Sequence, residues 1–222
     1  MEPVLLLCSI AGKKIEQQKI IQQLPEHRLK KIRLMKCEKD KLRCFYSWKL
    51  LEYGIQHYFG LNCADLQWNV DQHGKPYFQD APQIQFNISH SGDWIGIALH
   101  QKPIGVDLQQ IRPEKSRVAK RVMVPEEWNY YSFSGNPVDF FFTLWTLKES
   151  YCKYQGEGIS LGLSQFMCYE DHGKIITDCT GCQFYSYDDL PGYQVAVCCE
   201  SIQKPNILVI NPKNLERTGK NG

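Results

Sequence analysis

Two short stretches carry residue types from which chemistry could be built. In PIGVDLQQ, Pro103 to Gln110, alternation puts Ile104, Val106 and Leu108 on one face of a strand and Gly105, Asp107 and Gln109 on the other. A metal-binding strand would carry two carboxylates on that face. Here the second position is an amide, so alternation alone leaves Asp107 as either a ligand or an ordinary solvated carboxylate. In LWTLKESYCKYQGEGISL, Glu149 and Lys153 stand at i and i+4 and share one face of a helix. Surface ion pairs of that spacing are common and contribute little. This helix is dense in aromatics, however, and a carboxylate and an ammonium held together can move a proton and stabilise a phosphate.

Other candidates have bland readings beside their chemical ones. FNISHSGDW sets His90 between serines and a glycine at a strand end, where a turn with serines capping backbone groups explains it equally well. Basic residues gather in PEHRLKKIRLMKCEKDKLR, Arg28, Lys31 and Arg43 among them. Most read as a solvated face, while a ligand with several phosphates would use a few of them. SRVAKRVMVPEEW offers Arg117, Lys120 and Arg121 beside Val118, Val122 and Met123, either an amphipathic helix or a basic, partly apolar patch for an acidic partner. Cys179 and Cys182 form a C-x-x-C, and Cys198-Cys199 follows at zinc-ribbon spacing. Adjacent cysteines suit opposite faces of a strand better than one tetrahedral site, which favours buried thiols.

Two long helices and two sets of strands must position these groups. One helix is expected from Asp40 to Phe59 with Gly60 as its stop, the other from Asn136-Pro137 to near Gly156. Strand and turn signals follow each helix, and the two sets align at a constant offset: Lys75 with Lys174 (174 − 75 = 99), Trp94 with Tyr193 (193 − 94 = 99), and Asp40 with Asp139. Three landmarks in one register predict an internal duplication, although two unrelated α+β segments remain the alternative. The predicted fold is α+β, two similar halves, each a long helix packed on a small antiparallel sheet. The halves divide as 1–102 and 103–222, with the boundary near Gln101 to Pro103. Asp107 then lies on the strand leading across from one half to the other, Glu149 lies on the second half's helix, and a site using both sits at the seam.

Composition bounds the rest. At 222 residues, 43% hydrophobic and 23% charged, the chain has room for a sizeable core. A formal net charge of +2 is too small to imply nucleic-acid binding. The apolar run PVLLLCSIAG is too short to span a membrane and lacks a basic leader, so it reads as a first strand. Ten scattered cysteines fit reduced thiols in a cytoplasm.

Taken in order, GKPYF, FNISHSGDWIGIAL, PIGVDLQ and LWTLKESYCKYQGEGISL resemble the successive motifs of the Sfp-type 4′-phosphopantetheinyl transferases, over most of the chain from Arg28 to Cys198. The resemblance implies a reaction in which a carrier-protein serine attacks the β-phosphorus of coenzyme A and releases 3′,5′-ADP. It implies that Asp107, Gln109 and Glu149 hold Mg²⁺, with Mn²⁺ as a substitute, that Glu149 takes the serine proton, and that Lys153 stabilises the departing phosphate. Ser89 and His90 would contact the pyrophosphate, Lys75 would flank the nucleotide, and Arg28, Lys31 and Arg43 would surround the 3′-phosphate. Arg117, Lys120, Arg121 and Met123 would meet the apo peptidyl or acyl carrier protein. Neither nucleic acid nor membrane is an expected partner, and a site between halves of one chain suits a monomer. Related chains often have a glutamate where this one has Gln109, and a threonine where it has Cys44. With one carboxylate fewer, the expectation is a higher metal requirement. Two other functions fit the same residues: a non-catalytic module that binds coenzyme A or a carrier protein, and a different Mg²⁺-dependent phosphoryl enzyme.

Overall fold

The structure, a computed structural model, describes residues 1–14, 16–113, 116–157 and 162–216. The tail of the helix motif, 158–161, and residues 217–222 lie outside the described residues. In chain order the elements are β1 (Val4–Ser9), α1 (Gln17–Gln23), α2 (Glu26–Arg33), α3 (Glu38–Phe59), β2 (Trp68–Val70), β3 (Pro76–Phe78), β4 (Gln85–Ser91), β5 (Trp94–His100) and β6 (Ile104–Gln110). There follow α4 (Ser116–Val122), α5 (Pro125–Phe133), α6 (Pro137–Gln155), β7 (Cys168–Asp171), β8 (Lys174–Thr177), β9 (Gln183–Tyr187), β10 (Tyr193–Cys199), β11 (Asn206–Val209) and α7 (Pro212–Leu215). No described helix is long and apolar enough to cross a membrane.

The fold is α+β in two similar halves. The long helices start 99 residues apart (137 − 38 = 99), as do β5 and β10 (193 − 94 = 99). Helix α3 begins at Glu38, two residues before the expected Asp40, which adds a carboxylate to a first turn that favours negative charge. Helix α6 begins behind Asn136, whose side chain accepts a hydrogen bond from the Asp139 amide, and ends at Gly156 in the left-handed conformation (φ 81°).

One sheet has the order β11-β1-β5-β4, the other β6-β10-β9, and β2–β3 and β7–β8 are separate hairpins. The sheets face each other through Leu5, Leu7 and Ala98 on one side and Ile104, Val106, Leu108, Val195 and Val197 on the other. Helix α3 covers the outer face of the first sheet, against Leu6, Ile97 and Leu99; α6 covers that of the second, against Ala196 and Cys198. Strand β1 is apolar at nearly every position because both of its faces are buried. Strand β11 pairs in parallel with β1, so the end of the chain returns to the first sheet. The adjacent Cys198 and Cys199 point into different clusters, as strand alternation requires.

The halves are joined at one edge by side chains. Asn87 Oδ1, Ser89 Oγ and Ser91 Oγ, every second residue of β4, accept hydrogen bonds from the backbone amides of Val106, Leu108 and Gln110 on β6 at 3.0, 3.1 and 3.0 Å. A row of side-chain oxygens thus takes the place of a carbonyl ladder. The serines flanking His90 therefore lie in a strand and zip the seam, where the sequence allowed a capped turn.

Candidate active site

Asp107 is held at the seam by its strand register. Its neighbours on β6, Val106 and Leu108, fill the core between the sheets, which turns the carboxylate outwards under α6. The approach of that helix depends on Gly105. A Cβ at this position would lie 2.0 Å from the Ser150 carbonyl oxygen and 2.4 Å from the Tyr154 amide nitrogen, closer than packed atoms can come. A glycine two residues before Asp107 therefore lets α6 settle on β6 and brings Glu149 and Lys153 over the carboxylate. Gly105 was visible in the sequence only as a face-mate of Asp107; its role depends on a long-range contact.

Lys153 donates to Asp107 Oδ1 at 2.6 Å, to the Val106 carbonyl at 3.1 Å and to Ser89 Oγ at 3.3 Å. Helical spacing had paired this ammonium with Glu149, but the second half's helix reaches the strand carboxylate instead. Ser89 Oγ also donates to Asp107 Oδ1 at 2.9 Å. Gln109 turns its amide nitrogen to Asp107 Oδ2 at 3.0 Å, so it serves as a donor to the carboxylate expected beside it as a ligand. Glu149 is 7% exposed, and its Oε1 has no hydrogen-bond partner. Burial first, and the Asp107 charge second, push its carboxyl above the usual range, against the pull of Lys153. Two buried carboxylates, one with an orphaned oxygen, form a donor set that suits a hard divalent cation needing few protein oxygens. Among the described residues, no third carboxylate, histidine or cysteine joins them.

These groups line a cleft of about 880 Å³ together with Arg28, Lys31, Arg43, Cys44, Trp68, Ser89, His90, Gln109 and Trp145. The buried Arg28 donates from Nη2 to the Cys44 carbonyl at 2.9 Å, and its guanidinium lies 5.9 and 5.8 Å from the ring centres of Trp48 and Trp68. Its Nε has no partner. Arg43 reaches the Gly92 carbonyl through Nη2 at 2.7 Å, and Lys31 is exposed. Desolvation, then the charges of Arg43, Lys153 and Lys31, hold the His90 imidazole below the usual histidine range, although part of the ring is exposed.

Two expected residues are placed elsewhere. Lys75 is absent from the lining; its ammonium caps the Lys153 carbonyl at 2.7 Å, binding the β2–β3 hairpin of the first half to the end of α6. Met123 is 6% exposed and packs in the second-half core, so its side chain is not on the surface offered to a partner. Arg117, Lys120 and Arg121 of α4 are exposed, with Lys120 6.0 Å from the Trp128 ring centre.

Comparison with known proteins agrees with this architecture. Residues 12–102 match the family profile of the 4′-phosphopantetheinyl transferase N-terminal region, and residues 103–198 that of the 4′-phosphopantetheinyl transferase superfamily. The chain belongs to that superfamily, in its Sfp-type branch, and is an enzyme of that class. It is 31% identical over 190 residues to a 4′-phosphopantetheinyl transferase of Bacillus subtilis, covering 82% of this chain and 85% of the relative. It is 32% identical to the Sfp transferase of Bacillus subtilis strain 168, covering 78% and 80%. A protein of Haemophilus influenzae, described as a putative 4′-phosphopantetheinyl transferase, is 28% identical over 93% of both chains.

Proposed function

We propose that the chain transfers the 4′-phosphopantetheine arm of coenzyme A to a serine of an apo peptidyl or acyl carrier protein, of non-ribosomal peptide, polyketide or fatty-acid synthesis. The observation that carries this reading is the meeting of Asp107, Glu149 and Lys153 on one cleft wall, with Glu149 Oε1 left without a partner. The serine hydroxyl gives its proton to Glu149 as its oxygen bonds to the β-phosphorus. The bond from that phosphorus to the bridging oxygen breaks, and 3′,5′-ADP departs with the electron pair. Burial and the nearby Asp107 make Glu149 a stronger base than a solvated carboxylate. The Lys153 ammonium faces the charge that grows on the departing phosphate. Ser89 and His90 border the pyrophosphate, while Arg28, Lys31 and Arg43 receive the 3′-phosphate. Asp107, Glu149 and the Gln109 side chain would hold Mg²⁺ or Mn²⁺, which when bound supplies positive charge to the pyrophosphate.

Residues 1–102, joined by β11 and α7, are the nucleotide side, and the rest of 103–222 carries the catalytic helix and the carrier side, where exposed Arg117, Lys120 and Arg121 complement an acidic partner. The enzyme acts as a monomer in the cytoplasm, a compartment that ten cysteines scattered along the sequence fit. The test incubates the enzyme with coenzyme A, Mg²⁺ and apo carrier proteins of both kinds, and reads carrier mass. Glu149→Ala is expected to abolish labelling and retain coenzyme A binding. A wild-type enzyme that leaves every carrier unmodified defeats the assignment.

A further inference from the structure

The cation at the nucleotide end of the cleft is aimed from the other half of the molecule. Arg43 donates from Nε and Nη2 to the Gly92 carbonyl at 3.3 and 2.7 Å, and from Nη1 to Asp40 Oδ1 at 2.9 Å. The direction of its guanidinium therefore follows the turn at Gly92 and Asp93, which joins β4 to β5. That turn is clamped by second-half strands. Tyr193 Oη, from the start of β10, accepts the Asp93 amide at 3.1 Å. Ser91 Oγ, just before the turn, accepts the Gln110 amide of β6 at 3.0 Å. Gly92 has φ 55°, and a Cβ there would lie 2.3 Å from Tyr193 Oη and 2.7 Å from Gln110 Oε1. The turn thus sits directly against the tyrosine hydroxyl, with no room for a side chain between them. Tyr193 is 9% exposed and does not line the cleft, so it can act on a ligand only through this turn.

We propose that Tyr193 is a positioning residue for coenzyme A recognition: its hydroxyl fixes the turn whose carbonyl aims Arg43 at the 3′-phosphate. The inference rests on the reading that Arg43 receives that phosphate. A phenylalanine fills the same volume but cannot accept the Asp93 amide. That loosens a turn still held by the Gln110 amide on Ser91 Oγ, the Ile10 amide on the Asp93 carbonyl and the Lys39–Asp93 ion pair, and so blurs the position of the acceptor that aims the guanidinium. The second half thereby sets nucleotide affinity as well as supplying the catalytic helix.

The test compares coenzyme A with 3′-dephospho-coenzyme A as substrates of the full-length wild-type, Tyr193→Phe and Arg43→Ala enzymes, with the same apo carrier. Tyr193→Phe is expected to raise KM for coenzyme A by about three- to tenfold, the scale of one lost hydrogen bond, with kcat retained. Its KM for the dephospho substrate is expected to match that of the wild type. A Tyr193→Phe enzyme that raises both KM values alike, lowers kcat, or changes neither, while Arg43→Ala raises the KM for coenzyme A alone, overturns the inference and leaves the Arg43 assignment intact. An Arg43→Ala enzyme that still prefers coenzyme A over the dephospho substrate as strongly as the wild type does overturns that assignment and the inference with it.

Discussion

Lys148 and Lys153 stand little more than one turn apart on α6, and each meets a carboxylate at 2.6 Å, Glu127 and Asp107 respectively. The Lys148–Glu127 pair is wholly buried, both side chains at 0% exposure. Lys148 Nζ also reaches the carbonyls of Val122, Leu163 and Phe166 at 3.1, 2.7 and 2.8 Å, while Glu127 accepts the amides of Val124 and Cys168 at 2.9 and 2.7 Å. Burial pushes the lysine down and the carboxyl up, and each pulls the other back towards its charged form. Every polar side-chain atom of this pair has a partner, so it locks α5, α6 and β7 to one another. Lys153, in contrast, is 24% exposed on a cleft wall and stands near Glu149, whose Oε1 has no partner. One helix thus carries a saturated pair that holds structure and an unsaturated group that can do chemistry. Capacity left over for a ligand, more than burial or charge, separates the two.

The largest expected effect tests the structural pair. Lys148→Met leaves Glu127 buried without its cation and is expected to cost about 3–5 kcal/mol in denaturant unfolding. A loss below about 1 kcal/mol would erase the contrast. Lys153→Met should reverse the balance, with kcat/KM falling by about 10²- to 10³-fold. Its stability loss should stay within about 1–3 kcal/mol, less than that of Lys148→Met, because Asp107 keeps Ser89 and Gln109 as donors. Equal effects of the two substitutions on stability, with activity retained in both, would refute the division of labour.

The smallest effect concerns Glu149. Its folded pKa is raised, so around and above the ordinary carboxylate pKa of about 4.3 the folded state binds more protons than the unfolded one, and stability falls as pH rises. At neutral pH the ionised carboxylate is a net cost that an amide lacks. Glu149→Gln should therefore raise Tm at pH 7, and the gain should vanish near pH 4. An identical Tm change at both values would show that the ionised Glu149 is not strained.

The amino-acid sequence by itself determined the first strand, the two long helices, the strand sets that follow them and the duplicate plan, but not the shorter helices or the return of β11 to β1. Periodicity, caps and turn glycines are local, and a constant offset survives in one dimension, so both long helices and the alternation of β6 were legible. It also supplied the residues that meet in the cleft, through ordered motifs at their separations. Tertiary structure decided the pairing of those residues. Spacing along α6 put Lys153 beside Glu149, but the close approach at Gly105 delivered it to Asp107. Strand signals did not show that Asn87, Ser89 and Ser91 would zip the halves together, that Lys75 would cap α6, or that Met123 would turn inwards. Each of these is set by which surface arrives opposite a residue after folding. Hydrogen bonds and ion pairs form at contact distance, and the partners here lie tens of residues apart along the chain.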